Sequence, residues 1–332
     1  MRLAINGFGR IGRQVFRQAF AADGVDVVHV NDLVDAGTLA HLLAFDTSYG
    51  PWKHAVSGDD GALMVDGQTI EVSAEKDPSA LPWKDAGVDV VLESTGRFRK
   101  RGEAAAHLEA GARKVLVSAP GKSPLDGDFV IGVNHEQYDP GKHDVISIGS
   151  CTTNCLAPVA KVLHEEFGID HGVINTIHGY TATQNLQDGP HKDLRRARAA
   201  AANLIPTSTG AAQAIGLIMP ELDGKLDGLA VRVPVPTGSL LDLTCRLAGR
   251  VDVEMVNAAL RRWASDAMHG VLEVQDAPIV SSDVVGNPHS AIVSPRDTIV
   301  MGEGRMVKVL AWYDNEWGFS RRCLEMMQRM VS

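Results

Sequence analysis

The sequence predicts an α/β protein with a doubly wound, mainly parallel sheet in its first half, followed by a second α+β domain with a mixed or antiparallel sheet. Three observations lead to this prediction. In the first half, strand-like apolar runs alternate with helical patterns, as in parallel sheets covered by helices. In the second half, strand-like runs follow one another with less regular helix alternation. The 332 residues are also long for a single core, so two domains are expected.

The first element is a strand-like run, Leu3–Asn6, that leads into a glycine-rich turn and then a helical pattern reaching Phe20. The turn, Gly7–Gly12, has the spacing G-x-G-x-x-G in its required setting between strand and helix. The first glycine permits a tight turn, the second lets the backbone approach a pyrophosphate, and the third lets helix pack on strand. The pattern predicts a Rossmann-type dinucleotide-binding domain with the phosphates at the helix N-terminus.

An acidic residue follows the second strand of this unit. The run Val25–Val30 reads as a strand and ends at Asn31 and Asp32, and Asp32 lies 20 residues after Gly12. At this spacing a carboxylate accepts hydrogen bonds from a ribose hydroxyl of the dinucleotide. The same charge would repel a 2′-phosphate, so NAD is favoured over NADP.

The rest of the first half continues the alternation of strands and helices. Its remaining elements are predicted at Val88–Leu92, Arg101–Ala110 (a helix), Lys114–Val117 and Phe129–Gly132. The loops Glu93–Gly96 and Ser118–Gly121 come directly after strands, where ligands bind in open sheets. Glycine and proline in such loops could equally be turn residues alone, so a cofactor contact there stays open.

A cysteine lies where a strand-like run meets a helical pattern. Val145–Ile148 reads as a buried strand and Cys155–Phe167 as an amphipathic helix, which places Cys151 near a helix start. The partial positive charge there favours the thiolate, which is the reactive form. Free cysteine is also among the most buried residue types, so a structural role is the alternative.

A histidine at the end of another strand-like run could serve this cysteine. The run from Gly172 to Ile177 delivers His178 to its end, where the imidazole could take the thiol proton, and an imidazolium there would stabilise the thiolate. The chain has 12 histidines, most of which must be bystanders, so this pairing needs support from its context.

The second half is predicted to begin with Cys151 and to contain three clear strands, two helices and a final helix. These elements are Leu229–Val233, Leu240–Leu247, Val307–Trp312, the helices Thr209–Ile218 and Val253–Ala267, and the last helix Trp317–Val331. No proline- or serine-rich linker separates the halves. The boundary is therefore set by function, with the cofactor sheet ending near Gly149.

Five segments together carry a resemblance to a known family. They are Ile5–Arg13, Ser150–Pro158, Asp193–Arg198, Ile205–Ala212 and Trp312–Gly318. The chain resembles phosphorylating glyceraldehyde-3-phosphate dehydrogenases over essentially its whole length. The resemblance implies an NAD-binding domain at residues 1–149, a catalytic domain at 150–316, and a C-terminal helix at about 317–332 that packs on the NAD-binding domain. It also implies a homotetramer.

The resemblance implies the chemistry of the two candidate side chains. Cys151 is expected to add to the aldehyde of glyceraldehyde 3-phosphate, with His178 as its base. The aldehyde carbon does not readily surrender a hydride, whereas the tetrahedral hemithioacetal does. Hydride then passes to NAD, and inorganic phosphate attacks the remaining thioester to give 1,3-bisphosphoglycerate.

The resemblance also implies which residues bind the ligands. Cofactor contacts are expected at Gly7, Gly9, Arg10, Ile11, Gly12, Asp32, Lys76, Thr95, Gly96, Ser118 and Asn315. Contacts with substrate phosphate or inorganic phosphate are expected at Ser150, Thr152, Thr181, Arg196, Thr209, Gly210 and Arg232. Hydroxyls, helix-start N–H groups and the forked guanidinium all suit phosphate oxygens. The net charge of −9 means that phosphate binding must depend on local fields.

Two segments depart from the family pattern. Ile148 and Gly149 stand where an amide and an alanine are usual before the cysteine motif, and Val235–Ser239 contains Thr237 and Gly238 at changed positions. These differences put fine substrate geometry in doubt more than reaction type. Two alternatives therefore stay open: a dehydrogenase acting on erythrose 4-phosphate, and a noncatalytic NAD-binding thiol sensor.

Other classes of function are disfavoured. Cys151 and Cys155 are one helical turn apart, but no second Cys or His pair has a fitting spacing, so no metal site is expected. Four cysteines do not make a disulfide framework in a chain of this size. No apolar run approaches the roughly 18 to 20 residues that span a bilayer. The first residues enter a strand directly, so a cytoplasmic protein with no nucleic-acid or membrane partner is expected.

Overall fold

A computed structural model describes residues 1–59 and 61–332. The chain divides into two compact units. The first unit consists of Met1–Phe129, His135–Gly149 and Ser320–Ser332, and the second consists of Val130–Asn134 and Ser150–Phe319. Each unit has its own sheet.

The first unit is built on a sheet in which nine strands are described. They are β1 (Arg2–Asn6), β2 (Asp26–Asn31), β3 (Val56–Asp59), β4 (Ala62–Val65), β5 (Gln68–Ser73), β6 (Val90–Glu93), β7 (Lys114–Val117), β8 (Gly127–Asp128) and β9 (Val145–Ser147). The spatial order is β3-β4-β5-β2-β1-β6-β7-β9-β8. All pairs from β5 to β8 are parallel, while β3, β4 and β5 form an antiparallel edge. The predicted doubly wound, mainly parallel sheet is confirmed.

The helices of the first half are short and amphipathic. They are α1 (Arg10–Phe20), α2 (Ala36–Ala44), α3 (Arg101–Ala104) and α4 (Ala106–Glu109). In α1, Val15, Phe16 and Ala19 are buried, at the i, i+1, i+4 spacing of one helix face. Helix α2 begins after Asp35, whose carboxylate accepts a hydrogen bond from the Thr38 N–H.

Two predictions for this half are wrong in detail. Phe129–Gly132 is not a strand: β8 ends at Asp128, and a turn follows in which the Val133 N–H donates to the Val130 carbonyl. The Phe129 N–H still donates to the Ser147 carbonyl of β9 at 2.9 Å, but the chain leaves the sheet at Val130, and an apolar run with buried side chains cannot show where a strand ends. The predicted helix Arg101–Ala110 is two short helices interrupted at Ala105.

The second unit contains a mixed sheet in which seven strands are described. They are β10 (Ile169–Gly179), β11 (Ile205–Ser208), β12 (Leu226–Val233), β13 (Ser239–Leu247), β14 (Leu272–Val274), β15 (Ala291–Met301) and β16 (Met306–Tyr313). The spatial order is β11-β12-β10-β13-β16-β15-β14. Strands β10 and β12 are parallel, as are β14 and β15, and the other pairs are antiparallel. This confirms the predicted mixed sheet.

Three helices cover one face of this sheet, and a fourth ends the chain. They are α5 (Cys151–Phe167), α6 (Ala211–Ile218), α7 (Val253–Ser265) and α8 (Trp317–Val331). The core of the unit joins Leu156 and Leu163 of α5 to Leu241 and Leu243 of β13. From Ser320 onward, α8 belongs to the first unit. Among the described residues, no helix combines the length and apolarity needed to cross a bilayer.

Candidate active site

Cys151, the predicted nucleophile, begins a long helix. Helix α5 starts at Cys151, four residues before the predicted start at Cys155, because Ser150 caps it: the Thr153 N–H donates to Ser150 Oγ at 3.1 Å. The thiol therefore lies on the first turn of a 17-residue helix, where backbone N–H groups have no intrahelical acceptor. The sequence pattern placed Cys151 near a helix start, and in the structure Cys151 is the first residue of the helix.

Strand β10 brings His178 to this thiol. His178 Nε2 lies 3.4 Å from Cys151 Sγ, and the imidazole is 97% buried. On the other side of the ring, Nδ1 lies 2.6 Å from the Gly179 carbonyl oxygen. The ring also packs edge-on against Tyr313, with 5.9 Å between ring centroids.

The register of the sheet places Arg232 beside His178. Strand β12 runs parallel to β10 with Arg232 opposite His178. Arg232 Nη1 lies 2.6 Å from His178 Nδ1 and 3.0 Å from the Gly179 carbonyl oxygen. The predicted phosphate ligand Arg232 therefore directly contacts the predicted base, which nothing in the sequence indicated.

The charges around the pair differ from those the sequence suggested. Burial and the Arg232 guanidinium both lower the pKa of His178, to about 3, so the imidazole is neutral near pH 7. The imidazolium that was expected to stabilise a thiolate is therefore absent at neutral pH. Burial of the sulfur raises the pKa of Cys151, although the residue keeps some exposure, and Arg232 acts in the opposite direction. Arg232 is thus the positive charge that favours the thiolate.

A buried hydroxyl triad supports this corner. Tyr313 Oη lies 3.0 Å from Thr152 Oγ1 and 2.7 Å from Thr176 Oγ1. Burial raises the pKa of Tyr313 well above its usual value, so the phenol stays protonated. The Thr152 hydroxyl, which was expected to contact phosphate, is engaged here, and sequence reasoning missed both Thr176 and Tyr313.

The second predicted arginine is held by a different set of partners. Arg196 Nε donates to Thr207 Oγ1 at 2.9 Å and lies 3.4 Å from an Asp193 carboxylate oxygen. The Thr207 hydroxyl donates to the same carboxylate at 3.0 Å. The sequence placed Asp193 and Thr207 in segments that resemble the family, but it did not indicate that either contacts Arg196.

The remaining predicted phosphate ligands form hydrogen bonds with residues near them in the sequence. The Thr181 and Thr183 hydroxyls lie 2.9 Å apart. Gly210 is the N-cap residue of α6, and Thr209 Oγ1 accepts from the Ala211 N–H at 3.2 Å. The Gly210 end of α6 therefore presents backbone donors of the kind that phosphate binding requires.

A cavity of about 370 Å³ in the first unit lies against the carboxyl ends of its central strands. Of the predicted cofactor residues, Gly7, Gly9, Asp32, Lys76 and Thr95 line it. Ser94, from the loop Glu93–Gly96 that was left open as a cofactor contact, also lines it. The sequence-based prediction missed the other lining residues, namely Asn6, Asn31, Leu33, Glu75, Arg97 and Phe98.

The remaining predicted cofactor residues lie beside this cavity or in the second unit. Arg10 pairs with Asp46, and Ile11 and Gly12 are in the first turn of α1. Gly96 has a φ of +71°, and Ser118 Oγ donates to the Glu93 carbonyl at 3.1 Å. Asn315 belongs to the second unit.

The three motif glycines fit a dinucleotide. Gly7 has a φ of +94°, and a Cβ there would lie 2.6 Å from the Thr95 nitrogen. A Cβ on Gly12 would lie 2.3 Å from the Gly7 carbonyl oxygen, so helix and turn could not pack as they do. A Cβ on Gly9 would meet no atom within 4 Å, so the backbone there faces open space in which a pyrophosphate can approach.

The acidic residue at the end of β2 is fixed by the glycine turn. Phe8 N–H donates to Asp32 Oδ2 at 2.7 Å, and Val34 N–H donates to Oδ1 at 3.2 Å. Each oxygen keeps a second lone pair, and the carboxylate lines the cavity. Asp32 is therefore oriented to accept from ribose hydroxyls.

A buried polar network lies behind the same cavity. Glu93 is 1% exposed, and its carboxylate accepts from Asn6 Nδ2 at 2.6 Å and from the Thr95 N–H at 2.9 Å. It also accepts from the Thr95 hydroxyl and lies 3.1 Å from His107 Nε2. Asn31 Nδ2 continues the network by donating to Asn6 Oδ1 at 2.7 Å. The network therefore fixes lining residues on three adjacent strand ends.

The altered segment before β13 holds the predicted nicotinamide contact. Ser239 Oγ donates to Asn315 Oδ1 at 2.7 Å, and Thr237 Oγ1 lies 3.3 Å from the same oxygen. Gly238 has a φ of +89°, and a Cβ there would lie 2.1 Å from the Ser281 carbonyl oxygen. Gly238 is thus required by the local backbone, and the Thr237 hydroxyl donates at 2.9 Å to the carboxylate of Asp314, the residue before Asn315. The other altered residue, Ile148, is fully buried in the first unit.

Comparisons with known proteins agree over both units. Residues 1–101 match the family model described as the NAD-binding domain of glyceraldehyde 3-phosphate dehydrogenase, and residues 150–315 match the model of its C-terminal domain.

Curated relatives match the chain along its full length. Glyceraldehyde-3-phosphate dehydrogenase from Geobacillus stearothermophilus is 53% identical over 332 residues, covering 100% of this chain and 98% of that protein. Glyceraldehyde-3-phosphate dehydrogenase 1 from Bacillus subtilis (strain 168) is 54% identical, covering 98% and 97%, and the Kitasatospora aureofaciens enzyme is 53% identical, covering 100% and 99%. With NAD-binding glycines, a helix-start cysteine and a buried histidine in place, the chain belongs to the glyceraldehyde-3-phosphate dehydrogenase family.

Proposed function

We propose that this chain is an NAD-dependent, phosphorylating dehydrogenase that oxidises glyceraldehyde 3-phosphate to 1,3-bisphosphoglycerate. The observation that carries the proposal is the 3.4 Å approach of His178 Nε2 to the Cys151 thiol on the first turn of α5. A nucleophile and a base within reach of each other are the minimum equipment for covalent catalysis at a carbonyl. The noncatalytic sensor has no chemical need for this pair.

Cys151 and His178 divide the chemistry between them. The Cys151 sulfur adds to the aldehyde carbon while His178 Nε2 accepts the thiol proton and then passes it to the aldehyde oxygen, which gives a hemithioacetal on the enzyme and returns His178 to its neutral form. NAD, when bound, takes up the hydride that this tetrahedral carbon releases. His178 removes the hydroxyl proton as the carbonyl of the thioester forms. Inorganic phosphate then attacks the thioester carbon and displaces the Cys151 thiolate.

The phosphate groups are proposed to bind at two arginines and at helix-start donors. Arg232 is largely buried, and among the described residues its Nε has no hydrogen-bond partner, so a phosphate oxygen would satisfy it. Arg196, with its orientation fixed by Asp193 and Thr207, supplies a second guanidinium. The other proposed phosphate ligands are Ser150, Thr152, Thr181, Thr209 and Gly210.

The cofactor is proposed to occupy the cavity behind the glycine turn. Gly9 leaves room for the pyrophosphate, Asp32 accepts from the adenosine ribose, and Asn315 contacts the nicotinamide carboxamide. Gly7, Arg10, Ile11, Gly12, Lys76, Thr95, Gly96 and Ser118 complete the proposed set. The Asp32 carboxylate repels a 2′-phosphate, so NAD is preferred over NADP.

We further propose the domain boundaries and the oligomeric state. Residues 1–149 with the helix at about 317–332 form the NAD-binding domain, and residues 150–316 form the catalytic domain. A homotetramer is supported by large apolar side chains exposed in the second unit, Val173, Leu186, Leu194, Leu204, Leu229, Ile299, Met301 and Met306. Light scattering should give four times the 35.5 kDa chain mass. The proposed reaction belongs to glycolysis and gluconeogenesis, with the cytoplasm as its expected location.

NADH formation tests the proposed activity directly. Purified enzyme is supplied with NAD and glyceraldehyde 3-phosphate, with and without inorganic phosphate, and with erythrose 4-phosphate in parallel. Turnover of the three-carbon aldehyde that depends on phosphate is expected. Phosphate-independent turnover that favours the four-carbon sugar would select the erythrose-4-phosphate alternative, and turnover of neither would select the thiol sensor.

A further inference from the structure

The side-chain amide of Asn315 is almost completely buried, and only its oxygen is bonded to the protein. Asn315 is 5% exposed, and its Oδ1 lies 2.7 Å from Ser239 Oγ and 3.3 Å from Thr237 Oγ1. Among the described residues, the amide nitrogen Nδ2 has no hydrogen-bond partner. Burying an NH2 group without a partner is costly, so the amide offers two unused donors to a ligand that binds beside it.

The Ser239 hydroxyl determines which edge of the amide faces the protein. Ser239 is fully buried, and its Oγ accepts a hydrogen bond from the Gly179 N–H at 3.1 Å. Its own proton needs an acceptor, and within residues 1–59 and 61–332 the acceptor that it finds is Asn315 Oδ1. If the amide were reversed, Nδ2 would donate to Ser239 and the hydroxyl proton would be left buried without an acceptor. The oxygen edge therefore faces Ser239, and the NH2 edge faces away from it.

The Thr237 hydroxyl serves a neighbouring carboxylate instead of the amide. It donates to Asp314 Oδ1 at 2.9 Å, and a carboxylate is a stronger acceptor than the amide oxygen 3.3 Å away. Asp314 Oδ1 also accepts from the N–H groups of the two residues after Asn315, both at 2.9 Å. The backbone on both sides of Asn315 is thus fixed by Asp314, while the orientation of the amide itself depends on Ser239.

The same hydroxyl connects the amide to the strand that carries His178. Gly179, whose N–H donates to Ser239, directly follows His178 at the end of β10. A Cβ on Gly179 would lie 3.4 Å from Asn315 Oδ1, so the end of the strand packs against the amide. One buried hydroxyl therefore bonds to both the end of β10 and the Asn315 amide.

We propose that Ser239 is a positioning residue for hydride transfer, which holds the Asn315 amide so that its NH2 edge binds the carbonyl oxygen of the nicotinamide carboxamide. The proposal rests on the proposed function in taking Asn315 as the nicotinamide contact. Two N–H donors bind a carbonyl oxygen and disfavour an amino group, so the amide selects one orientation of the carboxamide. Hydride transfer requires a fixed geometry of the reacting groups, and Ser239 contributes to it without touching the cofactor.

Calorimetric titration of cofactor analogues tests the direction of the amide in the wild-type protein. The two analogues are 3-acetylpyridine adenine dinucleotide, in which a methyl group replaces the carboxamide amino group, and pyridine adenine dinucleotide, which lacks the carboxamide. The first keeps the carbonyl oxygen, so it should bind about tenfold more tightly than the second, as expected for one hydrogen bond. Equal affinities would show that the amide does not bind the carbonyl oxygen, and they would overturn the proposal.

Ser239→Ala tests the positioning role. We expect the dissociation constant for NAD to rise about tenfold, while that for ADP-ribose, which has no nicotinamide, changes by less than about twofold. The preference for the acetylpyridine analogue should also be lost, because the released amide can turn either edge toward the ring. Thr244→Ala is the matched control: it removes a hydroxyl from the same strand, β13, whose bond is to Asp242, and it should leave every dissociation constant unchanged.

Two results with the variant would overturn the proposal. If Ser239→Ala weakens the binding of NAD and ADP-ribose equally, Ser239 has only a structural role. If it weakens neither, the amide is held in place without Ser239. The wild-type titrations need no variant to fold, and none of these measurements uses turnover, so failure of this inference and failure of the proposed dehydrogenase activity are distinguishable.

Discussion

Two buried histidines, His107 in the first unit and His178 in the second, have opposite surroundings. His107 is fully buried in the first unit, where Trp83 Nε1 donates to its Nδ1 at 2.9 Å and its Nε2 faces the Glu93 carboxylate at 3.1 Å. Asn6 Nδ2, 3.4 Å from the same nitrogen, is bonded to Glu93 at 2.6 Å instead. The nearest partners of His107 therefore agree on one tautomer, whereas those of His178 disagree.

The two histidines therefore differ in how firmly the position of the ring proton is fixed. The indole N–H can only donate and the carboxylate can only accept, so the proton of His107 is fixed on Nε2. Glu93 is also fully used, because two donors reach each of its oxygens. At His178 a donor and an acceptor compete for one nitrogen. A fully satisfied buried polar network such as that of Glu93 has one favoured arrangement, whereas the neighbours of His178 Nδ1 do not favour a single one.

The largest expected effect separates chemistry from cofactor binding. Cys151→Ser should lower kcat by at least about 1000-fold, because an alcohol at this position lacks the reactivity of a thiol. The dissociation constant for NAD should stay near the wild-type value, since the cofactor cavity is lined by first-unit residues. Steady-state kinetics and calorimetric NAD titration measure the two effects. Loss of NAD binding in this variant would mean that Cys151 has a structural role.

The next largest effect is expected when Glu93, the acceptor for the His107 Nε2 proton, is replaced. Glu93→Gln keeps the shape of the side chain but replaces one carboxylate oxygen, which faces two donors, with an NH2 group that can only donate. We expect the free energy of unfolding to fall by about 2 to 3 kcal/mol, the cost of unsatisfied buried donors. The KM for NAD should rise, because Asn6 and Thr95 line the cavity.

Urea unfolding and NADH kinetics measure this effect, and Glu75→Gln is the matched control. Glu75 lines the same cavity, but only its Oε1 is used, by the Lys76 and Asp77 N–H groups. An amide oxygen can replace that acceptor. Equal behaviour of the two variants would show that the Glu93 network does not fix the cavity.

The stability of the protein should fall at acid pH because His178 is neutral in the folded chain. The pKa of His178 is about 3 in the folded chain, against about 6.5 for an unperturbed histidine. The unfolded chain therefore binds a proton that the folded chain does not, and stability falls as pH drops from about 6.5 toward 3. Between pH 7 and pH 5 this linkage removes about 2 kcal/mol.

His178→Gln should lose less stability over the same interval, by about 2 kcal/mol, in urea unfolding at pH 7 and pH 5. The exposed His171 supplies the control: His171→Gln removes a histidine on β10 without touching the site. Parallel acid profiles for wild type and His178→Gln would mean that the ring is not held neutral.

The smallest expected effect concerns cofactor choice. Asp32→Gly should shift the ratio of kcat/KM for NAD over NADP by about tenfold toward NADP, or about 1.4 kcal/mol. Asp32→Asn keeps an oxygen for the Phe8 N–H but removes the charge, so it should shift the ratio nearly as far. If the ratio shifts in Asp32→Gly and not in Asp32→Asn, the shape of the cavity and not the charge sets the cofactor preference.

Sequence patterns predicted the fold class and the central strands of the first sheet, and they left several other elements out. Helix α2 and the strands β3, β4, β5, β8, β11, β14 and β15 were not predicted. Most of these strands have two to six residues, which leaves the period-2 signal weak, but β15 has 11 residues and was missed as well. The false strand Phe129–Gly132 arose because buried apolar side chains in a turn resemble those of a strand.

The candidate site was predictable in its residue types and not in its contacts. The G-x-G-x-x-G spacing named Gly7, Gly9 and Gly12, and each has the surroundings that its predicted role demands. The chain-local position of Cys151 at a helix start was also readable. The network around Glu93 was not, because Asn6 and His107 come from segments more than 80 residues apart.

By itself, the sequence determined the class of the sheets, the glycine turn after β1, the acid at the end of β2 and the cysteine at a helix start, since these depend on local spacing and period. Only the tertiary structure decided that Arg232 touches His178, because that contact depends on the parallel register of β10 and β12. It also decided that His178 is neutral at pH 7, because burial and a nearby guanidinium together lower its pKa. Strand order and register bring distant side chains together, and the protonation of each depends on what arrives beside it.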